Sequence, residues 1–276
     1  MKSYSLILFL AVLFFSSCTK EDVYPPLANG QKLVKSVAVA DDGTTTTLYT
    51  YTSDGKLDAI STTGISGGVS ADNYRKFYRD ATGRITIIAT KVPPSSGIDV
   101  DTVYKYVHYP NATTFNYDYT VQQFSIDGFD FIDSTIYTYN SSGKITESYT
   151  YESGNIFDDQ EIRSVYTYDA TGNVTKLEGY NNSSGIMELA TTFVITYDDK
   201  TNPLSLDKQI MLITGGAPGS SGNNPILIEF KDVTDPDTQT ITNTYTFNTD
   251  GLPEKMVSSN LFDGTTTVTT TTFYYE

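Results

Sequence analysis

The stretch that decides the fold is Tyr-Thr-Tyr-Asp-Ala-Thr-Gly-Asn-Val, residues 166–174. In a strand, residues i and i+2 share a face, so Tyr166 and Tyr168 point the same way. Asp169 to Gly172 form a short polar turn, and Gly172 can adopt the positive φ that tight hairpin turns need. The chain then resumes with Val174 and Leu177, two apolar positions of a returning strand. This segment is a β-hairpin with an aromatic face.

The unit recurs along the chain. Tyr49-Thr-Tyr51 precedes a turn ending in Gly55, and Tyr78 precedes one ending in Gly83. Tyr137-Thr-Tyr139 leads to Gly143, Tyr197 to Asn202, and Tyr245-Thr-Phe247 to Gly251. A degraded copy spans Tyr106 to Phe115, with Pro-Asn-Ala at the turn. The copies fall about thirty residues apart, enough for two strands and two turns. One hairpin cannot bury its own aromatic face, so neighbours must pair side by side. The expectation is an all-β domain over 31–276: a long antiparallel meander of some twelve to sixteen strands. A twisted sheet of that size curls or closes, because open edges invite aggregation. A barrel or half-barrel is therefore predicted, with no helix after the signal segment.

The N-terminus carries a second message, centred on Leu-Phe-Phe-Ser-Ser-Cys-Thr-Lys-Glu-Asp, residues 13–22. Lys2 is followed by an apolar run from Leu6 to Phe15, too short for a stable bilayer span. Small Ser16 and Ser17 lead into Cys18, the only cysteine of the chain. This resembles a bacterial lipoprotein box, which implies a signal peptide at 1–17 and lipid attachment at Cys18. No disulfide can form within the chain, so an anchoring role also accounts for the cysteine count. Thr19-Lys20-Glu21-Asp22 resembles the surface-export signal of Bacteroidetes lipoproteins. Tyr24-Pro25-Pro26 favours extended backbone, and 18–30 is taken as a lipidated tether.

The hairpin unit itself resembles the YD repeat of RHS-type proteins, most closely at 166–177 and 137–145. Lipobox, tether and array together resemble exported Bacteroidetes lipoproteins of unknown function, one family of which is described as having a porin-like β fold. The resemblance implies a fold and an address at the outer membrane, lipid-anchored and facing the exterior. It implies no catalytic residue.

Composition narrows the partners. Removing residues 1–17 leaves 17 basic and 33 acidic side chains, a formal charge of −16. Such a surface repels nucleic acid, and contact with the membrane is expected through the lipid anchor only. With 22 Tyr, 14 Phe, no Trp and long Thr runs, the chain suits a sheet with one half-wet face. The polar alternate positions, as in Tyr-Thr-Tyr-Asn, argue against a lipid-facing porin wall.

Few residues suggest chemistry. His108 is the only histidine, and no nucleophile-elbow motif accompanies it. A zinc or iron site is not expected from one histidine and one cysteine. Acidic clusters occur at Asp127, Asp130 and Asp133, at Asp158, Asp159 and Glu161, and at Asp232, Asp235 and Asp237. The last is the weak calcium candidate, although its spacing departs from the Asp-x-Asp-x-Asp-Gly loop. Otherwise no cofactor is expected. Asp101-Thr102-Val103 and Asp133-Ser134-Thr135 resemble the Bacteroidetes O-glycosylation signal at Thr102 and Ser134. A Gly- and Ser-rich insertion at 214–224 stretches the repeat between Tyr197 and Phe247. It reads as a flexible loop or a ligand lip.

The leading expectation is a non-enzymatic cell-surface lipoprotein whose sheet is a binding or interaction scaffold. A carbohydrate-binding accessory protein using exposed Tyr and Phe is the alternative. An acidic-residue glycoside hydrolase is third. The partner would be a glycan or an extracellular protein.

Overall fold

The computed structural model describes residues 30–92, 101–126, 129–154, 157–183, 185–205, 209–214, 220–235 and 237–276. Its strands are β1 (Leu33–Ala40), β2 (Gly43–Tyr51), β3 (Leu57–Ser66), β4 (Val69–Ser70), β5 (Asn73–Arg79) and β6 (Ile85–Lys91). Then come β7 (Thr102–His108), β8 (Tyr119–Ile126), β9 (Phe129–Tyr139), β10 (Ile145–Gly154), β11 (Phe157–Tyr168) and β12 (Val174–Ser183). After β13 (Ile186–Thr201) and the short helix α1 (Ile210–Thr214) the chain ends with β14 (Asn223–Asp232), β15 (Thr238–Phe247), β16 (Pro253–Phe262) and β17 (Thr265–Tyr275).

Each strand pairs antiparallel with the next, as the hairpin repeat predicts. β1 also pairs with β17, so the sheet closes on itself. β4 pairs only with β3, and β3 continues to β5, which leaves a ring of 16 strands. The meander is thus a full barrel rather than a half-barrel, and it has no free edge. The expectation of no helix after the signal segment is corrected by α1, which lies in the insertion between β13 and β14.

The hairpin turns at one end of the barrel share a single geometry. In the unit quoted above, Asp169 Oδ1 accepts the backbone N–H groups of Thr171 (2.9 Å), Gly172 (2.7 Å) and Asn173 (2.9 Å). Asp80, Asn140 and Asn248 cap their turns in the same way. In the degraded copy Asn111 does so for Thr113 and Thr114. Gly172 is needed twice over. Its φ is +95°, and a Cβ there would fall 1.8 Å from Lys144 Nζ, which reaches across from the preceding turn. That ammonium donates to the Gly172 carbonyl at 3.1 Å.

The paired aromatics do more than fill space. The tyrosine nearest the turn in each unit points inward and donates its hydroxyl to a carbonyl at or just before the start of the preceding strand. Tyr51 bonds Leu33 (2.7 Å), Tyr109 bonds Ile85 (2.7 Å) and Tyr139 bonds Tyr117 (2.7 Å). Tyr168 bonds Ile145 (2.6 Å), Tyr197 bonds Val174 (2.8 Å) and Tyr275 bonds Pro253 (2.7 Å). The two remaining gaps are bridged by substitutes. Arg79 pairs with Ile85 as Tyr51 pairs with Leu57, so it occupies the tyrosine slot, and its NH2 donates to Leu57 O at 3.1 Å. The slot at Phe247 lacks a hydroxyl, and Tyr245 reaches Pro225 O at 3.2 Å instead. Eight links therefore run unbroken around the turn end. The carbonyls they satisfy lie where the ladder register shifts, beside bulges that remove a backbone partner. Burial raises the phenol pKa of Tyr51, Tyr109, Tyr139, Tyr197, Tyr245 and Tyr275, to about 12 at Tyr109 and Tyr197.

The insertion plugs this end. Leu212 and Ile213 pack with Phe77, Ile88, Val107, Tyr117 and Ile145 in the main apolar cluster. Gln209, fully buried, accepts the Ile85 N–H at 2.7 Å and donates to Tyr109 Oη. Arg75 NH1 donates to Ile213 O at 2.7 Å. The core thus sits inside the barrel, at the turn end, against β5 to β10.

Candidate functional site

The apolar cluster fixes which face of each strand points inward, and strand alternation assigns the rest. On the outward face, one arc differs from all others. Tyr78, Ile87, Tyr106, Val121, Ser134 and Tyr151 are register partners in a row across β5 to β10. A parallel row one step nearer the turn end contains His108, Tyr119, Ile136, Tyr149 and Arg163. Tyr104 and Ile132 extend the patch on the other side. Tyr106 is 55% exposed and Ile136 60%, high values for such side chains.

The edge of this arc is polar and ordered. His108 stacks on Tyr119 at 4.4 Å between centroids, and its Nδ1 lies 2.7 Å from Asp118 Oδ1. Arg163 donates to Glu147 at 2.9 Å and covers the Tyr180 ring at 5.4 Å. The Glu161 carboxylate accepts the Tyr149 hydroxyl, which raises the phenol's pKa and lowers its own. The opposite arc is rich in threonine, with Thr240, Thr242, Thr244 and Thr246 on β15 and Thr266, Thr270 and Thr272 on β17, and it also exposes Leu261, Val268 and Tyr274. Lys35, Lys76, Lys176, Glu229, Lys231 and Lys255 also point outward. Apolar residues are exposed between them on the same face, among them Val39, Leu48, Val194, Leu261 and Val268. No described helix is long and apolar enough to cross a membrane.

The residues singled out in the sequence do not converge. Asp232 Oδ1 accepts both Thr234 N (2.8 Å) and Thr234 Oγ1 (2.6 Å), and Asp235 accepts Asp237 N (2.9 Å). These carboxylates cap turns. Among the described residues, no group of three or more His, Cys, Asp or Glu is placed to hold a metal. Asp130 accepts the Ser125 hydroxyl at 2.6 Å, whereas Asp133 faces the lumen. Thr102 begins β7, and Ser134 lies in the exposed tyrosine arc. Cys18, Asp127 and the side chains of Asp158 and Asp159 lie outside the described residues. The aromatic of the second copy is also reassigned. Tyr78 points out, and the inward positions are Phe77 and Arg79.

Sequence reading missed the plug. Its signal was the apolar run Ile210-Met-Leu-Ile213 directly before the Gly-rich stretch, which no surface loop requires. It also missed the clustering of outward tyrosines, which needs the pairing register to see.

Comparison with solved structures agrees with the fold. A porin-like protein from Bacteroides uniformis matches with a TM-score of 0.54 at 10% identity, covering 88% of this chain and 98% of that one. A porin-like protein from Bacteroides vulgatus matches with a TM-score of 0.55 at 10% identity, over 89% and 99% of the two chains. The porin-like β fold implied by the repeat is therefore present. No family model matches this chain, and no curated protein does.

Proposed function

We propose that this protein is a non-enzymatic surface lipoprotein, held to the outer membrane by acylated Cys18, whose barrel stands clear of the hydrocarbon core. Two acyl chains or more suffice for stable attachment, so the wall need not enter lipid. The barrel docks an extracellular protein through the tyrosine arc of β5 to β10. The observation that carries this reading is the pairing of exposed Tyr106, Tyr119 and Tyr151 with exposed Ile132 and Ile136. Aromatic and aliphatic anchors at the centre, with Arg163 and Glu147 at the edge, have the anatomy of a protein interface. The remaining exterior mixes threonine and charge with scattered exposed apolar residues such as Leu48, Val194 and Val268, none of them grouped with outward tyrosines as in the arc.

A photocrosslinking amino acid at position 106, compared with one at position 244 on the threonine side, tests the arc on intact cells. A discrete partner captured from 106 alone supports docking. Equal labelling from both positions sinks it. Cys18→Ala should release the protein from the membrane fraction, and its retention there would refute the anchor.

A further inference from the structure

The barrel is filled at the turn end, whereas inward side chains at the loop end are exposed to solvent. At the turn end the tyrosine links and the plug occupy the lumen. One to two positions further along the strands, the inward side chains become polar: Thr47, Thr62, Gln122, Thr150 and Ser258. At the loop end, inward-facing Glu152, Gln160 and Asn181 are exposed, and Phe262 is 45% exposed. A side chain that points into a barrel is exposed only where water enters. Sixteen-stranded barrels are wide enough to hold an aqueous channel.

This wetted half carries two aromatic pairs. Phe124 and Phe131 stack at 5.5 Å and 15°, and Phe193 and Phe230 meet at 4.7 Å and 40°. They stand on β8/β9 and β13/β14, well apart around the ring. The cations are already engaged: Lys105 Nζ lies 3.9 Å from Asp133 Oδ2, and Arg75 faces the plug. Glu152 has no such cation on its register partners, Asp133 and Gln160, so an anionic ligand would be repelled. Asp133 Oδ1 accepts no hydrogen bond.

We propose that the loop-end half of the lumen is a binding vestibule for a neutral oligosaccharide. Aromatic faces would lie against the apolar faces of the sugar rings. Amides and hydroxyls of the wall would pair with the sugar hydroxyls. This site is separate from the docking arc and needs no partner protein, so either proposal can fail alone.

The test uses the full chain purified in detergent, with neutral hexasaccharides of glucose and of mannose. An oligogalacturonate of equal length is the charged control. One neutral probe should raise the melting temperature and shield Lys105 from amine acylation, while outward Lys35 and Lys255 stay reactive. Gln160→Ala, at the exposed rim, and Phe124→Ala should each weaken binding about tenfold, with Thr244→Ala unchanged. The proposal is overturned if no neutral probe binds at millimolar concentration, if a bound probe leaves Lys105 reactive, or if the oligogalacturonate binds equally well.

Discussion

The two ends of this barrel are built from the same strands by different rules. At the turn end each hairpin is joined to the one before it by a side chain reaching a bulge-freed carbonyl. At the loop end the connections follow no common pattern: β1 and β2 are joined by two residues, while β3 reaches β5 through the small strand β4. One end is a repeated joint, and the other is free to vary around an open mouth. Stability and recognition can therefore be assigned to opposite ends of one sheet.

The largest expected effect falls on the joint. Combining Tyr139→Phe, Tyr168→Phe and Tyr197→Phe keeps the rings but strands three carbonyls, at about 1–3 kcal/mol each. A fall in unfolding free energy of several kcal/mol, measured by denaturant titration, is expected, whereas Tyr104→Phe on the outer wall should change stability by less than about 0.5 kcal/mol. Equal effects would show that the links contribute nothing. Ile213→Ala, removing a plug side chain that is 1% exposed, should cost about 2–5 kcal/mol. A negligible loss would mean the plug is not part of the cooperative core.

Alkali separates the ends next. Tyr51, Tyr109, Tyr139, Tyr197, Tyr245 and Tyr275 have raised folded-state pKa values, so the unfolded chain releases these phenol protons first, near pH 10. Their contribution is present below that pH and is lost as pH rises toward the folded values. Each tyrosine kept neutral weakens folding by up to about 1.4 kcal/mol per pH unit, less where solvent reaches the ring. A melting temperature that is flat between pH 10 and 11 would contradict the buried ring. A smaller effect is Gly172→Ala, about 1–2 kcal/mol from φ alone, plus displacement of Lys144. Gly68→Ala at the loop end shares a positive φ but meets nothing within 4 Å, and should cost less.

Much of this architecture was readable from the chain. Tyr166-Thr-Tyr168 followed by a glycine turn specified strand, face and hairpin together, because the period of two and the demand for positive φ are local constraints. Closure was foreseen only in general terms, since it depends on β1 meeting β17 across the whole sequence. Arg79 could not be recognised as a ring member from its neighbours. Tyr78 beside it supplied the expected aromatic, and only the register with Ile85 shows which of the two faces in. The plug was hidden for a similar reason: Gln209 finds its partners a hundred or more residues away, at Ile85 and Tyr109. The outward tyrosines occur on separate strands, so no window of sequence contains their patch.

The pairing of β1 with β17 also governs how the molecule can be made. Every other joint in the ring connects segments close in sequence, so those hairpins can form as soon as their residues emerge. The last seam joins Ser36 to Phe273 and cannot zip until β17 is available. Bringing ends so distant together costs about 5 kcal/mol of chain entropy before any ladder bond compensates. The sheet must therefore assemble as an open ribbon with two exposed edges and close late. Its slow step is a single long-range encounter, and the hazard during that interval is capture of the raw edges of β1 and β17 by another ribbon.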